Sequence, residues 1–162
     1  MRKWNWKLKL AGILVACALG LVAWKFAWAT PGKDVTVTTL AGPVILDELD
    51  IKAETDSYEA EIKTKGWSDA RVVRHHIAPG GHTGWHSHPG PVFVMVTAGT
   101  LTKYEGDDPE PTVYPAGTGF VEEPGEVHIG RNKGDVDLEM VSFLLIPLGE
   151  PARIDQPDPT LP

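Results

Sequence analysis

The chain has one cysteine, Cys17, among 162 residues, so no disulfide within a single chain can staple the fold. Basic residues are scarce: 15 Lys and Arg stand against 22 Asp and Glu, a formal net charge of −7. A nucleic-acid surface needs clustered Lys and Arg against phosphates, so that class is excluded. There is no internal repeat. After position 33 almost nothing carries the 3.6-residue apolar period of a helix. What is plentiful is Gly (17) and Pro (14), which suits many short strands and turns better than a helical bundle. The apolar fraction of 42% and charged fraction of 23% are ordinary for one globular domain, which excludes a disordered or fibrous chain.

The few positive charges are unevenly placed. Residues 1–29 hold Arg2, Lys3, Lys7, Lys9 and Lys25 and no acid; setting those five aside leaves 10 basic against 22 acidic residues, net −12. Met1–Lys9 is a basic leader, and Leu10–Trp24 is an uninterrupted apolar run of 15 residues. That run is long for a signal-peptide core and short for a membrane span of about 20 residues. Three routes fit it. Ala27-Trp28-Ala29 is a small-x-small cleavage triplet; Leu10–Ala29 can cross the bilayer uncleaved as a hydrophobic anchor helix if Lys25 snorkels; Leu14-Val15-Ala16-Cys17 resembles a lipobox. Trp4, Trp6, Trp24 and Trp28 at both ends argue against a buried core helix. Every route predicts a body outside the cytoplasm: periplasmic, secreted, or held at the membrane by the N-terminal segment. The excess of positive charge before the run agrees.

The body reads as short strands. Alternating or apolar runs fall at 35–40, 45–51, 70–78, 91–98, 101–105, 112–114, 120–122, 127–129 and 136–146. Turn signals separate them: Pro79-Gly80-Gly81, Gly99, Gly106–Pro111, Ala116–Gly119, Pro124-Gly125 and Asn132–Asp135. Lys52–Thr64 fits either a short helix or a hairpin. Spacing of roughly ten residues predicts an all-β antiparallel barrel or jelly roll. The chain therefore divides into a leader (1–29), a linker with N-terminal strands (30–69), a barrel core (70–146) and a Pro-rich extended tail (147–162).

Five of the six histidines lie between positions 75 and 88. In His86-Ser87-His88 the two rings stand at i and i+2 of an extended chain, on one face and about 7 Å apart, so both can converge on one ion. Alone, such a pair equally suits two hydrogen-bonded loop histidines. Its setting matters more. Gly80, five intervening residues, His86-x-His88 and then Gly99 form one motif; Gly117 and Gly125-x-x-His128-x-x-x-Asn132, with Pro124 alongside, form a second about 17 residues later. Over residues 70–146 the chain resembles a single-domain cupin of the type-2 kind.

The resemblance implies a six-to-eight-stranded jelly-roll barrel with a divalent metal inside, held by His86, His88 and His128. The glycines and Asn132 match turn positions. The family's fourth ligand, a glutamate of the first motif, falls at Val92 or Phe93, neither of which can coordinate. Two readings follow, a three-histidine variant, as in some cupin dioxygenases, or a metal site that has decayed; retention of all three histidines favours the first. Three neutral imidazoles leave the ion's +2 charge uncompensated, which makes a strong Lewis acid attractive to anionic or chelating ligands. Imidazole suits several metals; Fe(II) with dioxygen is the family-guided choice, with Zn, Cu, Mn and Ni as alternatives. Two functions follow from one barrel: a dioxygenase-like oxidoreductase acting on a small molecule, or a non-catalytic module that binds or senses one. The resemblance also implies a homodimer through edge strands.

Other side chains have plainer readings. His82 lies on a Gly-rich loop, at the metal's rim or exposed. His75 and His76 are strand neighbours, so one of them can look inward as a hydrogen-bond partner. Trp85 is expected to pack at the barrel mouth, with a substrate platform as the alternative. Phe93 and Met95 are expected inside. Glu122 and Glu123 are candidates for a replacement carboxylate, of which at most one can face inward. Asp107, Asp108 and Glu110 read as a solvated loop, and Arg74 and Arg131 as surface pairs or anion contacts.

Overall fold

The computed structural model describes residues 29–106, 108 and 110–159. The hydrophobic helix expected over the leader lies outside those residues; among the described ones no helix is long and apolar enough to cross a membrane. The strands are β1 (Lys33–Leu46), β2 (Asp50–Thr55), β3 (Tyr58–Lys63), β4 (Ser68–His82), β5 (His86–Ser87) and β6 (Val92–Ala98). They continue as β7 (Thr100–Glu105), β8 (Thr112–Pro115), β9 (Gly119–Glu122), β10 (His128–Arg131), β11 (Leu138–Pro147) and β12 (Ile154–Asp155). All pair antiparallel. The long path runs β12-β5-β10-β4-β11-β6-β9, with β1 also on β4, and β7 bridging β10 to β8. This is the expected all-β antiparallel barrel.

Alternation builds the core. Val73 and Ile77 of β4, Val92, Val94 and Val96 of β6, Leu101 of β7, and Leu138, Met140, Leu144 and Ile146 of β11 all turn inward. Burying each such side chain contributes about 1.5–3 kcal/mol. Where both faces of a strand are apolar, period-2 reading cannot choose the inner one. Val92–Val96 is such a run, and the inward placement of Phe93 and Met95 is wrong: they are 41% and 47% exposed on the outer face. Their partners fix the phase, since Val92 pairs with Glu122 and Phe93 with Val121.

Two further segments differ from expectation or resolve it. Pro79-Gly80-Gly81 is a bulge inside β4 rather than a strand end. The β1 partner jumps from Val35 opposite Ile77 to Lys33 opposite His82, and Gly80 takes φ +77°, a left-handed value that favours glycine. Lys52–Thr64 resolves as a hairpin, β2 on β3. The motif glycine Gly99 has a steric reason: φ is +71°, and a Cβ there would lie 2.6 Å from the Asp137 carbonyl oxygen.

The Pro-rich C-terminal segment crosses the barrel beside β5. Ile154 and Asp155 pair with Ser87 and His86, and the Gln156 N–H donates to the Trp85 carbonyl at 3.0 Å. Thr30 joins this strap: its N–H donates to Gln156 O at 3.1 Å, and its hydroxyl accepts from Trp85 N–H at 2.8 Å. Asn132 ties β4 to the segment after β10. It is 2% exposed, and its Nδ2 donates to Ile77 O and Val136 O, both at 2.8 Å. Asn132→Ala leaves one buried and one part-buried carbonyl short of a donor and is expected to destabilise the barrel by about 1–3 kcal/mol. Urea denaturation checks it; a loss under about 0.5 kcal/mol would remove Asn132 from the fold's supports.

Candidate metal centre

Two strands, and the residue just after one of them, deliver the histidines. His86 of β5 pairs directly across from His128 of β10, so their rings share a face. His88 follows His86 by two and returns to that face. The ring centroids lie 4.4 Å (His86–His128), 4.9 Å (His86–His88) and 5.4 Å (His88–His128) apart. All three side chains are buried, and one ligand nitrogen from each falls within 4.8 Å of the others. No other His, Cys, Asp or Glu set of this kind occurs among the described residues.

Backbone carbonyls orient the rings. His86 Nδ1 meets Gly84 O at 2.9 Å, His88 Nδ1 meets Ala152 O at 2.6 Å, and His128 Nδ1 meets Glu126 O at 3.0 Å. A carbonyl oxygen only accepts, so each Nδ1 donates, which in the neutral ring leaves the lone pair on Nε2. For His128 that Nε2 is buried without a hydrogen-bond partner, which normally costs about 1–3 kcal/mol. Three such lone pairs on one face form a donor set that a single divalent cation satisfies. The residues therefore fit the metal that the fold implies.

A carboxylate joins them. Glu122, at the end of β9, is 9% exposed and turns inward, while Glu123 is exposed. Its Oε2 lies 3.2 Å from His88 Nε2 and its Oε1 3.1 Å from His128 Nε2. Strand parity allowed only one of the two glutamates to face inward. The Val92–Glu122 pairing decides which, and no motif along the chain announces it.

A cavity of about 460 Å³ opens from this cluster, within the range of small-molecule sites. Val35, Val37, Val73, Val94, Leu101 and Met140 form much of its wall. His75 faces it, with a buried Nδ1 that lacks a partner; His76 points away and meets Asp137 at 3.1 Å. Arg71 and Arg153 also line the cavity, and sequence reasoning passed over both. Arg71 is held by Asp69, and Arg153 by Asp155 at 2.5 Å and the Thr83 carbonyl at 2.9 Å. Arg74 is exposed, and Arg131 lies over the Tyr104 ring at 5.9 Å. Trp85 is 4% exposed and serves the strap through its backbone. His82 accepts from the Gly84 N–H, outside the cluster. Lys103, 3% exposed, bridges Glu105 at 2.6 Å and Glu126 at 2.5 Å, bracing the turn that presents His128. Burial pulls its pKa down, but the two carboxylates outweigh that and raise it.

The protonation states suit ligation. Burial, then the neighbouring His128, Arg153 and His88, lower the His86 pKa from 6.5 to about 2, so the ring stays neutral. Burial pushes the Glu122 carboxyl up, but contacts with His128 and His88 outweigh it and hold the group below the usual carboxylate range. Unfolded, His86 binds a proton as pH falls past 6.5; folded, it does not until about 2. Stability is thus lost as pH drops through that window, while Glu122 stays ionised in both states over its upper part. The metal-free protein should show a lower urea midpoint at pH 5 than at pH 7.5, and His86→Asn should shrink the difference. An undiminished difference in the variant would place the acid sensitivity elsewhere.

A cupin-domain family model matches residues 73–144, the stretch from β4 into β11 that carries all three clustered histidines. No curated protein matches the sequence. Among solved structures, the polyketide cyclase RemF from Streptomyces resistomycificus is similar at a TM-score of 0.55 and 16% identity, over 80% of this chain and 79% of the cyclase. A cupin-2 domain protein from Rhodospirillum rubrum gives 0.52 at 13% identity, over 78% and 68%. A double-stranded β-helix protein from Klebsiella pneumoniae gives 0.47 at 23% identity, over 68% and 86%. At such identities the likeness is one of fold alone. The family match, the jelly-roll strands and the histidines at both motifs agree: residues 73–144 are a cupin domain.

Proposed function

We propose that this cupin holds a divalent metal through His86, His88 and His128 and acts outside the cytoplasm as a dioxygenase-type oxidoreductase on a small organic molecule. The observation that carries the metal is the set of three Nε2 lone pairs turned to one point by their Nδ1–carbonyl bonds. The ion supplies Lewis acidity and, as Fe(II), electrons for dioxygen. The protein supplies the rest. Its aliphatic wall excludes water and seats an apolar body, and Arg71, Arg153 and the unpartnered His75 Nδ1 offer polar contacts at that wall. The ligand this suits is small and apolar with one polar or anionic group.

The metal is tested by mass spectrometry on tag-free residues 30–162 beside His86→Ala/His128→Ala. Near-stoichiometric metal in the first and none in the second is expected; none in either, after reconstitution with Fe(II), Zn, Cu, Mn and Ni, would contradict the proposal. Catalysis is tested separately, by oxygen consumption of the Fe(II)-loaded protein against small carboxylates and phenols. Bound ligand without oxygen uptake would favour the non-catalytic binding module.

Export rests on the basic leader, the apolar run and the net −12 of the remainder. Thr30, the residue after the Ala27-Trp28-Ala29 triplet, is tied to Gln156 and Trp85, so cleavage there would leave the new terminus anchored. Intact-mass analysis of the native protein should find a chain beginning at Thr30 or an uncleaved chain in the membrane fraction. A full-length cytoplasmic protein would exclude both.

A further inference from the structure

Glu122 has no place in the three-histidine scheme, yet it is the carboxylate that meets the histidine cluster. We infer that Glu122 is the fourth protein ligand to the ion, a carboxylate carried on the strand next to the one where the first cupin motif has it. The inference rests on the metal proposal above and adds a residue at a position that the second motif leaves unspecified.

Register is the first support. Of the two positions where the family's first motif places glutamate, Phe93 faces outward, and Val92 is 2% exposed and faces the cavity. Glu122 is its direct antiparallel partner. Directly opposed residues project from the same face with Cβ atoms about 4.5–5.5 Å apart. A carboxylate lost at 92 and gained at 122 therefore keeps nearly the same reach into the barrel.

The second support is the chemistry of the contacts. Oε2 and Oε1 lie 3.2 and 3.1 Å from the Nε2 atoms of His88 and His128. Both rings carry their proton on Nδ1, so in the neutral state lone pairs face lone pairs. That arrangement is repulsive unless positive charge lies between them, as a second ring proton or as a metal ion. Ligand atoms bound to one ion at about 2.0–2.2 Å sit roughly 3 Å from one another, which is the spacing found. Other cations are engaged elsewhere: Lys103 by Glu105 and Glu126, Arg71 by Asp69, Arg153 by Asp155. Among the described residues no lysine or arginine pairs with Glu122. An ionised carboxylate at this depth needs a partner, and a dication shared with the histidines provides it.

The consequence corrects the sequence expectation. Three imidazoles and one carboxylate leave an ion with a formal +1 rather than +2, a weaker Lewis acid with less pull on anionic ligands.

The test uses Co(II) as probe on the protein expressed with its own leader and processed by the cell. Affinity is read by chelator competition and geometry by the visible d–d spectrum, for wild type, Glu122→Gln and the swap Val92→Glu/Glu122→Val. Glu122→Gln is expected to weaken Co(II) by about 100-fold and to change the spectrum. The swap is expected to recover affinity to within about tenfold of wild type. Wild-type affinity and spectrum in Glu122→Gln would overturn the inference and leave the three-histidine site standing. No Co(II) binding by wild type would overturn the metal proposal itself. Should Glu122→Gln fail to fold, the swap decides: tight binding supports the ligand role, and a folded swap that has lost Co(II) overturns it.

Discussion

The structure of the site depends on three hydrogen bonds from imidazole Nδ1 to backbone carbonyls. They dictate the tautomer of each ring and so where each lone pair points. The three carbonyls come from separate places: Gly84 before β5, Glu126 in the β9–β10 turn, and Ala152 in the C-terminal segment. None belongs to the central strands. The strands place the rings on one face, and the connecting segments turn them to one point. The Pro-rich tail is thus part of the candidate metal centre, since Ala152 orients His88 and β12 closes on His86.

Supporting charge follows the same plan. Lys103 sits almost wholly buried and clamps Glu126, whose carbonyl orients His128. A buried ammonium with two carboxylates is not an obvious source of stability, because desolvation offsets much of the attraction. Its value here is positional, holding a turn that has His128 at one end and Glu122 at the other. Arg153 does similar service across the strap, tying Asp155 to the Thr83 carbonyl. The cavity can then stay apolar and open, since the polar groups around it are largely committed to one another.

Much of this was legible along the chain. The ten-residue rhythm of apolar runs and turns specified a β-barrel, and His86, His88 and His128 stood out by spacing within two motifs. What escaped depends on pairing across the sheet. Glu122 faces inward because it opposes Val92, and register between strands is not written in either strand alone. Phe93 and Met95 face outward for the same reason, in a run whose two faces are equally apolar. Arg71, Arg153 and Lys103 escaped because their neighbours are far away in sequence and a charged residue on a strand ordinarily implies solvent. Pro79-Gly80-Gly81 carried a turn's signature, yet β1 and β11 pair with β4 up to Ile77, and β1 and β10 pick it up again at His82.

The most direct test of the central claim is thermal unfolding at pH 7.5 as a divalent ion is titrated in. A ligand that binds only the folded state stabilises it in proportion to the logarithm of its concentration above Kd. If three lone pairs converge as described, Zn or Co(II) should raise the midpoint of the wild type and leave His86→Ala/His128→Ala unmoved. A wild-type midpoint indifferent to every divalent ion would mean that the cluster is held together without metal, and the account would fail at its base.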